Sequence, residues 1–250
     1  MNTVDRQLLK TLAPTGTLRV ALNHGNRVLV SRDEAGNAQG ITVDIAKALA
    51  AQLGLALTFV EKERAIDVSA AASHNLYDLC FLAVDPERAR TLDFSAAYIR
   101  IEGSYLVAAT CSSADAHALV SQGHKVATVE GSAYTLDLLR KPGAEHLVLY
   151  PDIDAALTAL DRGQVAALAG IKDVMQVEAA KRAGARVVEP PFMEIRQAMA
   201  VPAGRPQAAS LLTDFVAAMT GSGQMGEIFE RHGVSSACTV APAGEGAPRP

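Results

Sequence analysis

Three short polar segments carry the side chains best suited to binding a small charged molecule. They are 23–26 (NHGN), 85–88 (DPER) and 130–134 (EGSAY), and each directly follows an apolar run. Arg88 ends the second segment, and its guanidinium offers two parallel N–H donors that fit a carboxylate bidentately. The first segment adds two amide side chains, and the third begins a helix pattern with a hydroxyl. We predict that these segments form a binding site for a small molecule.

Each of these residues also has a purely structural interpretation. Arg88 could form a surface ion pair with Glu87 or Asp85, although Arg90 fits that role better. Ser132 could act only as a helix N-cap, and both roles can coexist. The two asparagines could serve only the geometry of a turn.

Apolar strand patterns alternate with helix patterns along most of the chain. A run at 18–23 is followed by a helix pattern that ends at Gly54 and by a second run at 55–61, which is the order typical of a parallel sheet. In such sheets, ligands bind at the carboxyl ends of the strands. Further strands are predicted at 77–84, 103–109, 124–130, 146–150, 165–170, 185–189 and 196–204. Phe94 and Ser95 are expected to be core and turn residues.

The composition narrows the class of partner. With 49% hydrophobic and 20% charged residues, the 250-residue chain has the make-up of a soluble globular protein. A net charge of −4 without a basic run argues against binding to nucleic acid or anionic lipid. Three cysteines without C-x-x-C spacing and six scattered histidines predict neither a disulfide framework nor a metal site. No cofactor is predicted, because the G-x-G-x-x-G match at 221–226 follows a helix instead of a strand.

The sequence also bears on localisation. The first twenty residues lack the apolar run that a secretory signal requires, and no segment reaches the roughly 18 apolar residues of a membrane span. We therefore expect no membrane insertion, and a cytoplasmic protein if Met1 is the native start.

The order of five motifs resembles the bacterial extracellular solute-binding proteins of family 3, the amino-acid-binding, type 2 periplasmic binding proteins. The resemblance covers about 18–233. The motifs are GNAQGITVDIAKALAAQLG at 36–54, YDLCFLAVDPERARTLDFSAAYI at 77–99, HKVATVEGSAY at 124–134, LTALDRGQVAAL at 157–168 and SGQMGEIFERHG at 222–233.

This resemblance implies an α/β fold of two lobes, each built on a doubly wound sheet and joined by two crossover strands. Lobe 1 would comprise 1–105 and 200–250, and lobe 2 would comprise 106–199. The ligand cleft would lie between them and close in hinge fashion.

The resemblance also implies residue roles. The arginine that binds the ligand carboxylate falls on Arg88, and Ser132 and Ala133 fall where backbone N–H groups point at the same carboxylate. The acid that pairs with a ligand ammonium falls at Gly170 or Ile171, beside Lys172, so a second anion would suit this position better. Lys172 could also be only a solvated lysine at a helix start. The predicted ligand-binding residues are Asn23, Asn26, Phe81, Ala83, Arg88, Ser132, Ala133, Tyr134, Gly170, Lys172 and Gln197.

The function implied is binding of a small anionic solute, an amino acid or organic acid, as the substrate-binding component of an ABC importer. Family members are periplasmic and partner a membrane permease, and no catalysis is expected. The alternatives are a cytosolic dehydratase or lyase acting on a cyclic carboxylic acid with the same fold, or a ligand sensor. An enzyme would need an acid or base, for which Glu102, Glu130 and His24 are the candidates.

Overall fold

The structure is a computed structural model that describes residues 6–111, Leu119 and 122–240. Its chain forms two compact units. Unit 1 contains the residues up to Glu63, Asp67–Arg100 and the residues from Arg196 on, whereas unit 2 contains Arg64–Ile66 and Ile101–Ile195. The ligand-binding lobes at 1–105 plus 200–250 and at 106–199 stay a prediction.

The secondary structure alternates between strands and helices, as the sequence predicts. The strands are β1 Thr17–Asn23, β2 Ser31–Arg32, β3 Ala38–Gln39, β4 Ala56–Lys62, β5 Leu79–Ala83, β6 Leu92–Val107, β7 Val126–Val129, β8 Leu147–Tyr150, β9 Ala167–Ile171, β10 Arg186–Val187 and β11 Met193–Pro202. The helices are α1 Arg6–Leu12, α2 Ile41–Leu53, α3 Ala65–Ala72, α4 Ala133–Leu138, α5 Ile153–Asp161, α6 Lys172–Ala180, α7 Pro206–Gly221 and α8 Gln224–Arg231.

In unit 1, the strands pair in the order β4, β1, β5 and β11. Strand β1 runs parallel to both of its neighbours, with Thr17 opposite Ala56 and Val20 opposite Leu79. Strand β11 is antiparallel to β5. All five residues of β5 are buried, as expected for a central strand of an α/β sheet. The loops after β1 and β5 therefore start from the same edge of the sheet, which we call the carboxyl edge of unit 1.

In unit 2, the strands pair in the order β6, β9, β7 and β8, and β10 also pairs with β6. Strand β7 is parallel to β8 and β9, whereas β6 is antiparallel to β9. The hydrophobic core of unit 2 includes Leu106, Leu160, Leu168 and Met175, which are all nearly excluded from solvent. The segments that follow β7 and β9 start from one edge of this sheet, and Lys172 directly follows β9.

Helix α2 shows how local sequence sets an element boundary. Gly40 precedes it with a φ of 121°, and an added Cβ there would lie 2.5 Å from the carbonyl oxygen of Leu29. Gly54 ends it in a left-handed conformation, and its N–H bonds the carbonyls of Ala50 and Ala51. The predicted end of this helix at Gly54 is confirmed.

One detail of the predicted structure is wrong. The strand predicted at 103–109 is the second half of β6, a sixteen-residue strand, so Ser95 lies in a strand and not in a turn. The segment after Asp85 forms a 3-10 turn at Arg88–Arg90, and β6 begins at Leu92. Within the described ranges, no helix is both long enough and apolar enough to cross a membrane.

Candidate functional site

Arg88 is a buried cation at the carboxyl edge of unit 1. The residue is only 4% exposed, and its Nη1 donates a hydrogen bond to the carbonyl oxygen of Ala83, the last residue of β5, at 3.0 Å. Burial lowers the pKa of the guanidinium to about 10, while the nearby Asp85 and Cys80 act in the opposite direction. Arg88 thus stays charged at neutral pH. An exposed ion pair is excluded as its role.

Arg90 has the surface role that the sequence predicts for it. Its side chain is 76% exposed, and Nη1 lies 3.3 Å from Oε2 of Glu87. The two arginines of this segment, two residues apart, therefore differ completely in their surroundings. Arg90 is a natural control for experiments on Arg88.

The other predicted residues of β5 and β11 are also buried. Ala83 lies opposite Gln197 in the antiparallel pairing of these strands. Phe81 packs edge-on against Tyr98, with ring centroids 5.8 Å apart. Val84, the last residue of the strand predicted at 77–84, lies outside β5 and is 50% exposed.

The loop after β1 holds the two predicted asparagines in different ways. Oδ1 of Asn23 accepts the N–H of Gly25 at 3.1 Å, so this amide does serve turn geometry. Asn26 is only 6% exposed, and the described part of the chain offers its Oδ1 no hydrogen-bond partner. The loop therefore contains one amide used by the backbone and one buried amide oxygen that is not.

A charged network adjoins this loop, and three of its members, Arg32, Glu61 and Glu63, were not predicted from the sequence. Nε2 of His24 lies 2.9 Å from Oε2 of Glu61, and Nη2 of Arg32 lies 3.0 Å from the same oxygen. The same Arg32 nitrogen lies 2.7 Å from Oε1 of Glu63. Strand β4 places Glu61 near β1 because the two strands pair in register along their whole length, and Glu63 lies just past the end of β4.

Ser132 caps α4 in unit 2. Its Oγ accepts the N–H of Thr135 at 3.2 Å and lies 2.7 Å from that residue's Oγ1. Ala133 begins the helix, and burial raises the pKa of Tyr134 to about 12. The capping role of Ser132 is confirmed. The ligand contacts of these three residues stay predictions.

Lys172 is held between two carboxylates of unit 2. Its Nζ lies 2.9 Å from Oε2 of Glu102 and 2.9 Å from Oε1 of Glu189. These hydrogen bonds, the one to Glu189 first, raise the pKa of Lys172. Lys172 does begin α6, as its structural interpretation predicts, but its side chain is only 20% exposed and is paired with both glutamates. A second anion at Lys172 would compete with both glutamates, and that contact stays a prediction.

Gly170 and Glu130 are the remaining residues predicted from the sequence, and both have close neighbours within unit 2. Gly170 is buried in β9, where an added Cβ would lie 2.6 Å from Cε of Met175. Glu130, a candidate acid or base, lies 3.5 Å from Nη1 of Arg64. Among the residues that the structure describes, no three His, Cys, Asp or Glu side chains could together hold a metal ion. A pocket of about 340 Å³ lies among α2, α7 and α8 of unit 1, and none of the predicted site residues lines it.

Comparison with solved structures shows the fold. A mutant of ArgBP from T. maritima matches with a TM-score of 0.76 at 19% identity, over 90% of this chain and 98% of that one. A histidine kinase sensor domain with similarity to periplasmic binding proteins also gives 0.76 at 19%, over 86% and 95%. The ancestral amino-acid-binding protein AncCDT-1, a precursor of cyclohexadienyl dehydratase, gives 0.72 at 21%, over 90% and 98%. The predicted α/β, type 2 periplasmic-binding-protein fold is confirmed.

Comparison with sequences shows the family. No curated protein sequence matches the chain. The family model for bacterial extracellular solute-binding proteins, family 3, matches residues 18–235, which is nearly all of the folded part. This span contains all five motifs on which the resemblance was based. The chain therefore belongs to the bacterial extracellular solute-binding proteins of family 3.

Proposed function

We propose that the protein binds a small carboxylate-bearing solute at the carboxyl edge of unit 1, with Arg88 as the carboxylate-binding residue. The observation that carries this proposal is a buried guanidinium fixed at the end of a central strand. The carbonyl of Ala83 holds Nη1 at 3.0 Å, which places the charged group where α/β proteins bind their ligands. Membership of a solute-binding family supports the same conclusion.

The electrostatics at Arg88 favour an anionic ligand. Charge interactions are stronger away from water, and a guanidinium matches a carboxylate with two parallel hydrogen bonds. Asp85 lies near enough to raise the pKa of Arg88, and its own Oδ1 is fixed by the N–H of Glu87 at 2.9 Å. The edge is thus a rigid arrangement of charges, which lowers the entropic cost of holding a ligand.

Membership of this family also supports a role for solute binding in transport. We propose that the protein is the substrate-binding component of an ABC importer, that it acts in the periplasm and that its partner is a membrane permease. Backbone N–H groups at Ser132 and Ala133 are proposed as further contacts of the carboxylate. The solute itself is addressed below.

Substitution of Arg88 tests the proposal directly. A screen of amino and organic acids should find carboxylates that raise the unfolding midpoint, because a ligand that binds only the folded state stabilises it. Arg88→Ala should abolish the shift. Arg88→Lys, which keeps a positive charge but not the planar pair of donors, should weaken it by about tenfold or more in affinity.

Arg90→Ala is the matched control, because Arg90 is exposed and pairs only weakly with Glu87. It should leave both the unfolding midpoint and the ligand shift nearly unchanged. A carboxylate whose shift survived in folded Arg88→Ala and Arg88→Lys variants would contradict the proposal.

A dehydratase or lyase is the second candidate function, and the pair of His24 and Glu61 favours it. Their side chains are 2.9 Å apart at the edge that holds Arg88, and such a pair can transfer protons. If this function exists, incubation with prephenate, arogenate or chorismate should give product, and His24→Gln should abolish turnover without abolishing binding. Binding without turnover by the wild-type protein would exclude these three reactions.

A further inference from the structure

The loop after β1 buries one polar atom for which the described residues provide no hydrogen-bond partner. This atom is Oδ1 of Asn26, and the residue is only 6% exposed. The backbone of Asn26 is fixed: its N–H donates to Asn23 at 3.1 Å, and its carbonyl accepts from Leu29 at 3.0 Å and Val30 at 3.1 Å. The loop therefore fixes the backbone of Asn26, whereas the side-chain oxygen Oδ1 has no donor among the described residues.

The polar groups around Asn26 are paired within unit 1. Oδ1 of Asn23 accepts a backbone N–H two residues further on. His24 contacts Glu61, and Arg32 contacts both Glu61 and Glu63. Nearly all buried polar groups in folded proteins have partners, so an exception calls for an explanation. Asn26 is the exception in this loop.

The position of the loop suggests that the missing donor belongs to a ligand. Strand β1 lies directly beside β5 and runs parallel to it, so the loop starts from the same edge at which Ala83 holds Arg88. We propose, building on the proposed function, that Oδ1 of Asn26 accepts a hydrogen bond from an uncharged donor on the same solute. A hydroxyl or an amide N–H is such a donor.

The charges at this edge favour an uncharged donor over an ammonium group. A buried ammonium requires a carboxylate partner, whereas an amide carbonyl supplies only a dipole. Glu61 and Glu63 are both bound by Arg32, and Asp85 is bound by a backbone N–H beside Arg88. The solutes that fit are therefore hydroxy acids and amide-bearing acids rather than α-amino acids.

Matched ligand triads test this preference. Each triad carries a hydrogen, a hydroxyl or an ammonium group on one skeleton: propionate, lactate and alanine; succinate, malate and aspartate; 3-phenylpropionate, phenyllactate and phenylalanine. Calorimetric titration gives the affinities. In the triad whose skeleton fits, the hydroxy acid should bind about tenfold more tightly than the unsubstituted acid, as expected for one good hydrogen bond. It should also bind more tightly than the amino acid.

Two variants of Asn26 test whether this residue accepts a hydrogen bond from the donor group of the ligand. Asn26→Leu removes the acceptor at similar volume, so the tenfold preference for the hydroxy acid should disappear. The unfolding midpoint without ligand should stay the same or rise, because no protein hydrogen bond to Oδ1 is lost. Asn26→Asp adds a charge and should shift the preference toward the amino acid.

Asn23→Leu is the control in the same loop. It should lower the unfolding midpoint without ligand, because Oδ1 of Asn23 has a backbone partner. If Asn26→Leu lowered the midpoint as much, or left the hydroxyl preference unchanged, the inference would be overturned. If the amino acids bound most tightly and their binding still depended on Arg88, the inference about Asn26 would be overturned and the proposed function would stand. Failure of all nine acids to bind would count against the proposed function as well.

Discussion

Glu178 in α6 is a nearly buried carboxylate whose charge is matched by two cations. Its Oε2 lies 2.6 Å from Nη1 of Arg182, and its Oε1 lies 2.7 Å from Nζ of Lys181. Arg182 in turn binds both oxygens of Asp161, at the end of α5, at 2.7 and 3.0 Å. Glu178 thus stabilises unit 2 through a network of ion pairs that connects α5 with α6.

The network predicts an acid dependence of stability. The hydrogen bond from Lys181 and the contact with Arg182 outweigh burial, so the pKa of Glu178 lies below its ordinary value of 4.5. A carboxyl with a lowered pKa stabilises the folded state fully above the unfolded pKa, and the effect is lost as the pH falls through the folded pKa. Glu178→Gln should therefore lower the free energy of unfolding by about 1–2 kcal/mol at pH 7 and by much less at pH 3.

Urea unfolding between pH 3 and pH 7 measures this difference. Glu227→Gln, at an exposed position of α8, is the control and should change stability by less than about 0.5 kcal/mol at every pH. An effect of Glu178→Gln that did not shrink toward low pH would show that the ionised carboxylate is not the stabilising form.

Single residues also show what a sequence can and cannot give for a site. The position of Arg88 after a buried strand was predictable, because the apolar run and the turn that precede it are features of the sequence. The hydrogen bond from Arg88 to the carbonyl of Ala83 was not predictable, because a backbone carbonyl has no counterpart in the side-chain pattern. Glu61 was missed for a related reason: it meets His24 only through the pairing of β1 with β4, and Arg32 of β2 contacts the same carboxylate oxygen.

At the level of elements, the start of α2 depends on close backbone approach. A residue other than glycine at position 40 would adopt a φ of 121° and overlap the carbonyl of Leu29. Backbone strain and overpacking each cost about 1–3 kcal/mol. Gly40→Ala should therefore lower the free energy of unfolding by about 2–4 kcal/mol, as measured by urea unfolding followed by circular dichroism.

Gly221 provides the matched control, because it ends α7 without a positive φ and an added Cβ would meet no atom within 4 Å. Gly221→Ala should change stability by no more than about 0.5 kcal/mol, in either direction. Equal effects of the two substitutions would mean that the contact with Leu29 does not constrain position 40.

Elements were predicted where the hydrophobic pattern was strong and missed where it was weak. The buried strand β5 and helix α2 stand out in the sequence. Helix α3 does not, because its alanine-rich stretch gives little contrast between a buried and an exposed face. Strand β6 was predicted too short, because exposed Arg100 and Glu102 interrupt its apolar run without interrupting its backbone pairing.

For the whole molecule, the order of the motifs was more informative than any one of them. Each motif alone is short and degenerate, whereas their sequence over 18–233 predicted the family that the model match over 18–235 then showed. Ligand identity does not follow in the same way. The proposed contact of Asn26 with the ligand rests on an unpaired side-chain oxygen that became visible only in three dimensions.

Unit 1 is built from separate segments of the sequence, and this has a consequence for the order in which its strands are synthesised. Strand β5, which leads into the Arg88 turn, has β11 as one of its two neighbours, and residues 101–192 of unit 2 lie between these two strands in the sequence. A ribosome therefore releases that whole segment before it supplies the strand that completes the sheet around β5. The sheet around β5 is therefore completed only after β11 has been synthesised, and until then the hydrogen-bonding edge of β5 that pairs with β11 has no partner strand.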